Sequence, residues 1–259
     1  MIFSMQTNIG NVREHNEDCY TTFANKAKDM CFFIVADGMG GYKGGEVASK
    51  MVTDILQERL SLLSKEEGWE YEAGFDAYVE KKMIEAISDA NRAVFDRSEN
   101  DESLNGMGTT VVVACVTDER VDYAHVGDSR LYYEDQDDLV QLTKDHSYVE
   151  ELVKNGILTR EQSKDHPQKN IITRALGAES TVEIDFSFHS LAPGDILLLC
   201  TDGLSNKVEH EEIRETLNRC LRADAEVNRE SVASCANELV QTALDRGGDD
   251  NITIGLIVY

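Results

Sequence analysis

Residues 32–41 read FFIVADGMGG, an apolar run that leads into an aspartate and three glycines. The apolar part predicts a buried strand over 30–37, and the apolar spacing after it predicts a helix over 44–63. A carboxylate at the end of a buried strand is costly unless a cation pairs with it, while glycines let a ligand approach the backbone closely. The stretch is compatible with a platform for a metal ion, but Asp-Gly is a common turn dipeptide, and from this stretch alone the favoured interpretation is that Asp37 merely caps a turn.

Length and composition favour one domain that covers residues 1–259. Of the 259 residues 41% are apolar, and the chain has only two prolines and no Ser/Gly/Pro-rich linker. It lacks an apolar stretch of about 18 residues, and its first residues do not resemble a signal peptide, so we expect no membrane span. Six scattered cysteines without a C-x-x-C pair are typical of reduced thiols, and we expect a cytoplasmic protein.

The charge balance excludes two classes of partner. Lysine and arginine number 25 and aspartate and glutamate number 49, which gives a net charge of 25 − 49 = −24. A surface this acidic repels nucleic acids and anionic membranes, so we expect neither as a partner. The charge does not indicate which reaction the protein catalyses.

Three further aspartates stand next to predicted strands, two of them beside a glycine and Asp250 two residues after one. Asp128 follows the predicted strand 121–126, Asp202 follows an apolar run that begins at residue 196, and Asp250 precedes the terminal strand 252–258. Each motif is weak by itself, because Gly-Asp and Asp-Gly are ordinary turn dipeptides. Together they repeat the pattern seen at Asp37.

The polar stretch 10–20 places Arg13 shortly before Glu17 and Asp18. An arginine can hold a phosphate group through two hydrogen bonds, and the two carboxylates could hold metal-bound water. A local salt bridge between arginine and a carboxylate on a surface turn is the alternative interpretation. From this segment alone the local salt bridge is the favoured interpretation.

The rest of the chain alternates strand and helix patterns. Further strands are predicted at 2–7, 108–116, 131–133 and 182–189, further helices at 73–97, 147–154, 159–164, 209–221 and 229–245, and a polar loop at 98–106. Residues 143–177 form a long, mostly polar excursion between strands. Such segments often border a functional site.

Six motifs in order resemble the PPM family, the metal-dependent Ser/Thr protein phosphatases of type 2C. They are RxxNED at 13–18, VADGMGG at 35–41, GTT at 108–110, VGDSR at 126–130, TDGL at 201–204 and DNIT at 250–253. They span nearly the whole chain, and its length and the VADGMGG form are similar to the bacterial branch. The resemblance implies an α+β fold, in which two antiparallel sheets stack face to face with helices outside (an α-β-β-α sandwich).

The resemblance also implies a set of roles for individual residues. Asp37 would bridge two Mn²⁺ or Mg²⁺ ions, Asp202 and Asp250 would complete the protein ligands of the first ion, and the Gly38 carbonyl would bind the second. Asp128 together with Asp202 would hold a weaker third ion. Two residues complete the site, since Asp18 would anchor a metal-bound water and Arg13 would bind the substrate phosphate.

The implied reaction is hydrolysis of phosphoserine and phosphothreonine in proteins by a metal-bridging hydroxide. The implied partners are phosphorylated proteins, including a Ser/Thr kinase that the enzyme opposes and that kinase's substrates, and we expect a monomer. Residues 143–177 correspond to the variable flap of the family. Many animal members carry a proposed acid histidine where this chain has Met39, so the proton donor stays open.

Two other functions fit the same resemblance. The first is an inactive pseudophosphatase that acts as a binding module, but such proteins usually lose metal-site aspartates, and all four are present here. The second is a phosphatase dedicated to one regulator in a partner-switching pathway. Phosphatases of that kind often lack the arginine that stands here at position 13.

Overall fold

The structure is a computed structural model that describes residues 1–41, 43–135, 138–222 and 227–259. The strands are β1 (Ile2–Asn8), β2 (Asp18–Ala24), β3 (Cys31–Met39), β4 (Gly108–Thr109), β5 (Val111–Thr117), β6 (Arg120–Val126), β7 (Arg130–Glu134), β8 (Leu139–Gln141), β9 (Asp185–Ser190), β10 (Ile196–Cys200) and β11 (Ile252–Val258). The helices are α1 (Gly44–Leu60), α2 (Lys65–Glu70), α3 (Phe75–Asn100), α4 (Tyr148–Lys154), α5 (Arg160–Lys164), α6 (Asp202–Ser205), α7 (His210–Leu221) and α8 (Arg229–Asp245).

The strands form two antiparallel sheets. One sheet has the order β1-β11-β10-β7-β8, and the other has the order β2-β3-β5-β6-β9 with β4 paired to β3. Helices α1 and α3 pack on the outer face of the second sheet, and α7 and α8 pack on the outer face of the first. The predicted α+β class, with two stacked sheets flanked by helices, is confirmed.

The continuous apolar runs of the sequence arise because the central strands are buried on both faces. In β3, Phe32 and Ile34 pack against α1 and α3, whereas Phe33 and Val35 point into the layer between the two sheets. Successive side chains of a strand point to opposite faces, so a strand covered on both sides needs apolar residues at every position. The same alternation in β10 sends Leu197 and Leu199 to the inner layer.

Several predicted boundaries were wrong, and tertiary pairing explains the clearest case. Strand β3 continues through Asp37 to Met39, because β4 pairs with its last two residues. Asp37 therefore lies inside a strand and not at its end. Helix α1 ends at Leu60, before the predicted residue 63.

Helix α3 and strand β2 show why local patterns failed elsewhere. Instead of ending at residue 97, α3 continues to Asn100 in the predicted loop, supported by the ion pairs Arg92–Asp96 and Arg97–Asp101 one turn apart. Strand β2 was not predicted, because five of its seven residues are only half-buried and its polar and apolar residues do not alternate. Its partner β3 selects the strand conformation.

Two other expectations concern the thiols and the membrane. All six cysteines are free, and Cys115, Cys200 and Cys235 are buried. Across the parts of the chain that the structure describes, no helix combines the length and the apolar character that crossing a bilayer requires.

The close packing of α6 against the turn before β11 gives a testable prediction. A Cβ added at Gly203 would lie 1.9 Å from the carbonyl oxygen of Asn251, which is backbone and cannot move aside cheaply. We expect Gly203→Ala to lower the free energy of unfolding by about 1–3 kcal/mol, measured by urea denaturation. Gly41→Ala is the matched control, since a Cβ there meets no described atom within 4 Å. Equal stability of the two variants would contradict the packing described.

Candidate metal centre

Four aspartates from distant parts of the chain line one cavity. Asp37 belongs to β3, Asp128 to the turn between β6 and β7, Asp202 to the first turn of α6, and Asp250 to the turn before β11. The cavity has a volume of about 300 Å³. The structure thus brings together the four aspartates that the sequence singled out.

The remaining lining residues include candidates named from the sequence. They are Arg13, Glu17, Gly38, Met39, Gly40, Thr110, Asn170 and Ile172. The described part of the cavity wall therefore contains five carboxylates and one guanidinium group. Asp18 lies behind this wall, directly opposite Asp37 in the β2–β3 pairing.

The environment of these carboxyl groups disfavours their ionised form. Burial raises the pKa of Asp18 and of Asp128 to about 7 and that of Asp202 to about 6, and the negative charge of a nearby aspartate raises each of the three further. Burial and the surrounding carboxylates raise the pKa of Asp37 well above its usual range. Such a cluster favours binding of positive charge.

A divalent cation fits this donor set. The buried oxygens Glu17 Oε1 and Asp18 Oδ1 have no hydrogen-bond partner among the described residues, and an ion pair at the wall joins Arg13 to Asp250 at 2.7 Å. Clustered carboxylate and carbonyl oxygens suit hard ions such as Mg²⁺ and Mn²⁺. The residues present therefore match a site for such ions.

The backbone of Asp37 is fixed by the GTT motif. The amide of Thr110 and the hydroxyl of Thr109 both donate to the carbonyl oxygen of Asp37, at 2.8 and 2.9 Å, and the amide of Asp37 donates to Thr110 Oγ1 at 3.1 Å. Thr110 Oγ1 also lies 2.7 Å from Ser129 Oγ, beside Asp128. This hydroxyl pair joins strand β3, which carries Asp37, to the turn that carries Asp128.

Gly38 is a position where only glycine fits. Its amide donates to the carbonyl of Glu17 at 3.1 Å, and an added Cβ would lie 2.1 Å from the carbonyl oxygen of Gly45. The first turn of α1 therefore packs directly on this strand. This contact keeps the backbone of Gly38 at the cavity wall.

The side chain of Asn251 holds the loop that carries Arg13 and Glu17. Its Oδ1 accepts a hydrogen bond from the amide of Glu17 at 2.8 Å, and its Nδ2 donates to the carbonyls of Ile9 and His15 at 2.9 and 3.0 Å. Sequence reasoning assigned no role to this asparagine. Its place beside Asp250 in the DNIT motif was the available indication.

Asp18 is fixed by a second buried contact. Thr201 Oγ1 donates to Asp18 Oδ2 at 2.9 Å, and the amide of Thr253 donates to the same threonine oxygen at 3.0 Å. One oxygen of Asp18 is thereby used, and the other is left free to accept a hydrogen bond. The role of Thr201 was also missed from the sequence.

Arg13 does not form the local salt bridge considered above. It pairs instead with Asp250, which lies 237 residues later in the chain, and its side chain is 47% exposed at the cavity wall. From this position a guanidinium group can reach an anion that enters the cavity. Its role in phosphate binding stays a prediction.

The segment 143–177 contributes Asn170 and Ile172 to the wall. A second cavity of about 830 Å³ lies between this segment and α6, and shares Asp128, Asn170 and Asp202 with the first. Neither His146 nor His166 is among the described residues that line these two cavities. These two histidines of the segment, which were the candidates for the acid that Met39 lacks, are therefore not at the described cavity walls.

The chain belongs to the protein phosphatase 2C family, whose sequence profile matches residues 11–244. The resemblance inferred from the six motifs is confirmed. Proteins of this family are metal-dependent hydrolases.

Individual relatives agree over nearly the full length. The chain is 38% identical over 256 residues to the serine/threonine phosphatase stp of Listeria innocua, covering 97% of this chain and 93% of the relative. Stp1 from Staphylococcus aureus has a similar structure, with a TM-score of 0.86, 35% identity and coverage of 100% of this chain and 95% of that chain. The catalytic domain of PstP, solved with two manganese ions, has a TM-score of 0.80, 31% identity and coverage of 98% and 96%.

The repulsion within the carboxylate cluster gives a prediction. Asp202→Asn removes one negative charge without changing the side-chain shape, so we expect metal-free protein at pH 8 to become more stable by on the order of 1 kcal/mol. The same variant should lose the rise in melting temperature that Mn²⁺ gives the wild type, because a ligand is gone. Thermal denaturation with and without Mn²⁺ measures both effects.

Glu58→Gln is the matched control for this variant. Glu58 is an exposed carboxylate of α1 outside the cluster, so its neutralisation should leave the metal-free melting temperature and the Mn²⁺ response nearly unchanged. A metal-free Asp202→Asn protein that is less stable than wild type would contradict the repulsion described.

Proposed function

We propose that this chain hydrolyses phosphoserine and phosphothreonine in proteins, using two Mn²⁺ or Mg²⁺ ions bound at the four-aspartate cavity. The observation that carries the proposal is the convergence of Asp37, Asp202 and Asp250 with the backbone of Gly38 on one cavity, in a chain of the protein phosphatase 2C family. Relatives named serine/threonine phosphatase support the substrate class.

In this proposal Asp37 would be a ligand of both core ions, Asp202 and Asp250 would help to hold the first, and the Gly38 carbonyl would help to hold the second. Asp128, with Asp202, would hold a weaker third ion. Divalent cations bound there would lower the pKa of a coordinated water and neutralise charge on the phosphoryl oxygens. The catalytic domain of PstP, whose structure is a complex with two manganese ions, supports the number of core ions.

The chain's own residues bind and orient the reactants. Arg13 lies where its planar guanidinium can hold two phosphoryl oxygens, and its present partner Asp250 is a proposed metal ligand. Asp18 keeps one free carboxylate oxygen that can accept a hydrogen bond from water in the site. Met39 has no proton to give, so it cannot act as the acid for the leaving group.

The alternatives are less well supported. A pseudophosphatase would not be expected to keep all four aspartates directed at one cavity. A phosphatase dedicated to a partner-switching regulator would not be expected to keep an arginine at position 13. The opposing Ser/Thr kinase, the cytoplasmic location, the monomeric state and the single domain with a flap at 143–177 stay predictions.

The direct test is hydrolysis of a phosphoserine peptide and of p-nitrophenyl phosphate by purified protein, with and without Mn²⁺. We expect Mn²⁺-dependent release of phosphate from both substrates. A protein that binds Mn²⁺ and releases no phosphate from either would support the pseudophosphatase instead.

The position of Arg13 predicts a specific kinetic change. Arg13→Ala should raise KM for a phosphopeptide and lower kcat/KM by about tenfold or more, because a charge-assisted contact typically contributes roughly 1.5–3 kcal/mol. Affinity for Mn²⁺ should not weaken, since the variant only frees Asp250. Arg13→Lys is the matched control. Its kcat/KM should lie between that of the wild type and that of Arg13→Ala, because lysine keeps the charge but loses the paired donors. An unchanged kcat/KM would return Arg13 to a purely structural ion pair with Asp250.

The absence of an acid at Met39 predicts the shape of the pH profile. An imidazole acid with a pKa near 7 would make kcat fall above neutrality, because its proton would already be lost. We expect kcat for a phosphoserine peptide to rise with pH and then level, without that fall, and aryl phosphates to be relatively favoured. The measurement is kcat against pH for wild type and His166→Ala. An alkaline fall that disappears in the variant would show that a histidine acid exists.

A further inference from the structure

His146, at the start of the segment 143–177, connects that segment to the turn that carries Asp128. Its backbone amide donates to the carbonyl of Gly127 at 2.9 Å, and the amide of Gly127 donates to His146 Nδ1 at 3.1 Å. Its carbonyl accepts a hydrogen bond from the amide of Thr173, at the other end of the segment, at 2.7 Å. The histidine is only 7% exposed. One buried residue thus binds both ends of the segment and the Gly127 turn.

The contacts of the ring decide which nitrogen carries the proton. Two donors face the ring, the amide of Gly127 at Nδ1 and Nη1 of Arg174, 3.2 Å from Nε2. The Gly127 amide is a backbone donor with no other acceptor to turn to, whereas Arg174 Nη1 also reaches Asp185 at 2.9 Å, so we take Nδ1 as the acceptor and place the proton of the neutral ring on Nε2. Asp185 Oδ1, 3.5 Å from Nε2, can accept that proton. Burial, and then the charges of His125 and Arg174, lower the pKa of His146 to about 4, so the ring is neutral near neutral pH.

The same tautomer argues against a metal ion at this place. Ligand atoms of His125, His146 and Asp185 lie within 4.8 Å of one another, and Nδ1 of His125 is buried without a partner among the described residues. A metal on Nε2 of His146 would force the proton onto Nδ1, against the amide of Gly127. It would also meet the guanidinium of Arg174, whose Nη1 lies 3.2 Å from Nε2 and 2.9 Å from Asp185. The cluster is built as a hydrogen-bond chain.

The Gly127 turn has little freedom beyond this contact. Gly127 has a φ of +106°, and a Cβ there would lie 2.5 Å from the side chain of Thr110. On its other side, Ser129 is hydrogen-bonded to the same threonine. Asp128 is therefore held between the Thr110–Ser129 hydroxyl pair and the ring of His146.

We propose that His146 is a positioning residue, whose Nδ1 fixes the Gly127–Asp128 turn and thereby couples the segment 143–177 to the weaker cation site at Asp128. This inference rests on the proposed function, since it takes Asp128 as a ligand of the third ion. His146 touches neither substrate nor core ions in this account. Loss of the hydrogen bond between the Gly127 amide and His146 Nδ1 should lower the affinity of the third cation site and leave the two core ions bound.

Two substitutions at position 146 separate the effect of losing the hydrogen-bond acceptor from the effect of losing the ring. His146→Asn places an amide oxygen near the position of Nδ1 and can still accept from Gly127, whereas His146→Phe keeps a ring to stack on His125 and has no acceptor. We expect His146→Phe to raise the Mn²⁺ concentration for half-maximal activity about tenfold, as Asp128→Ala should, with the core Mn²⁺ affinity by calorimetry unchanged. His146→Asn should stay near wild type. His166→Phe is the control within the same segment.

Two readouts do not depend on activity. In wild-type protein, ¹⁵N NMR of the imidazole should show Nδ1 unprotonated and Nε2 protonated, with no change when Zn²⁺ is added to protein already saturated with Mg²⁺, which is diamagnetic. Hydrogen exchange of the Gly127 amide should be fast in His146→Phe and slow in wild type and His146→Asn. The wild-type spectrum keeps the proposal testable even if a variant folds poorly.

Failure of this inference and failure of the proposed function give different results. If Asp128→Ala raises the Mn²⁺ requirement and His146→Phe does not, the coupling is overturned while the proposed function stands. If Asp128→Ala has no effect, the third site is wrong and the coupling falls with it. A proton on Nδ1, or Zn²⁺ bound at the cluster, would overturn the hydrogen-bond chain itself.

Discussion

The structure depends on keeping several carboxylates close together where water cannot fully solvate them. Asp37, Asp128 and Asp202 all have pKa values raised by burial and by neighbouring negative charge, and Arg13 supplies the one positive charge among the described residues of the wall. Such an arrangement opposes folding unless cations bind. A chain that keeps it gives up stability for function, which is usual where a metal centre performs the chemistry.

The fold supplies the rigidity that this repulsion requires. Three apolar layers, one between the sheets and one under each pair of helices, hold the strands that contain the aspartates or lead into them. Near the cavity the restraint comes from hydrogen bonds, because Thr110 holds the backbone of Asp37, Thr201 holds the side chain of Asp18, and Asn251 holds the backbone of Glu17. His146 extends the same restraint to the segment 143–177.

The sequence predicted the core of this arrangement and missed its supports. Apolar runs located β3 and β10, because a strand buried on both faces needs apolar residues at successive positions. The Asp-Gly motifs located Asp37 and Asp202, because they are short patterns that can be recognised in the sequence itself. The half-buried strand β2 and the three-residue strand β8 have no such sequence pattern, since pairing with a neighbouring strand determines their conformation. The contacts of Asn251 and Thr201 span hundreds of residues, so spacing along the chain could not reveal them.

The most direct test is to locate manganese by anomalous diffraction from crystals grown with Mn²⁺. The account predicts two strong peaks on either side of the Asp37 carboxylate, one also contacting Asp202 and Asp250 and the other the carbonyl of Gly38. A chain with no manganese at Asp37, or with its strongest peak elsewhere, would contradict the claim that the carboxylate cluster is a two-metal centre.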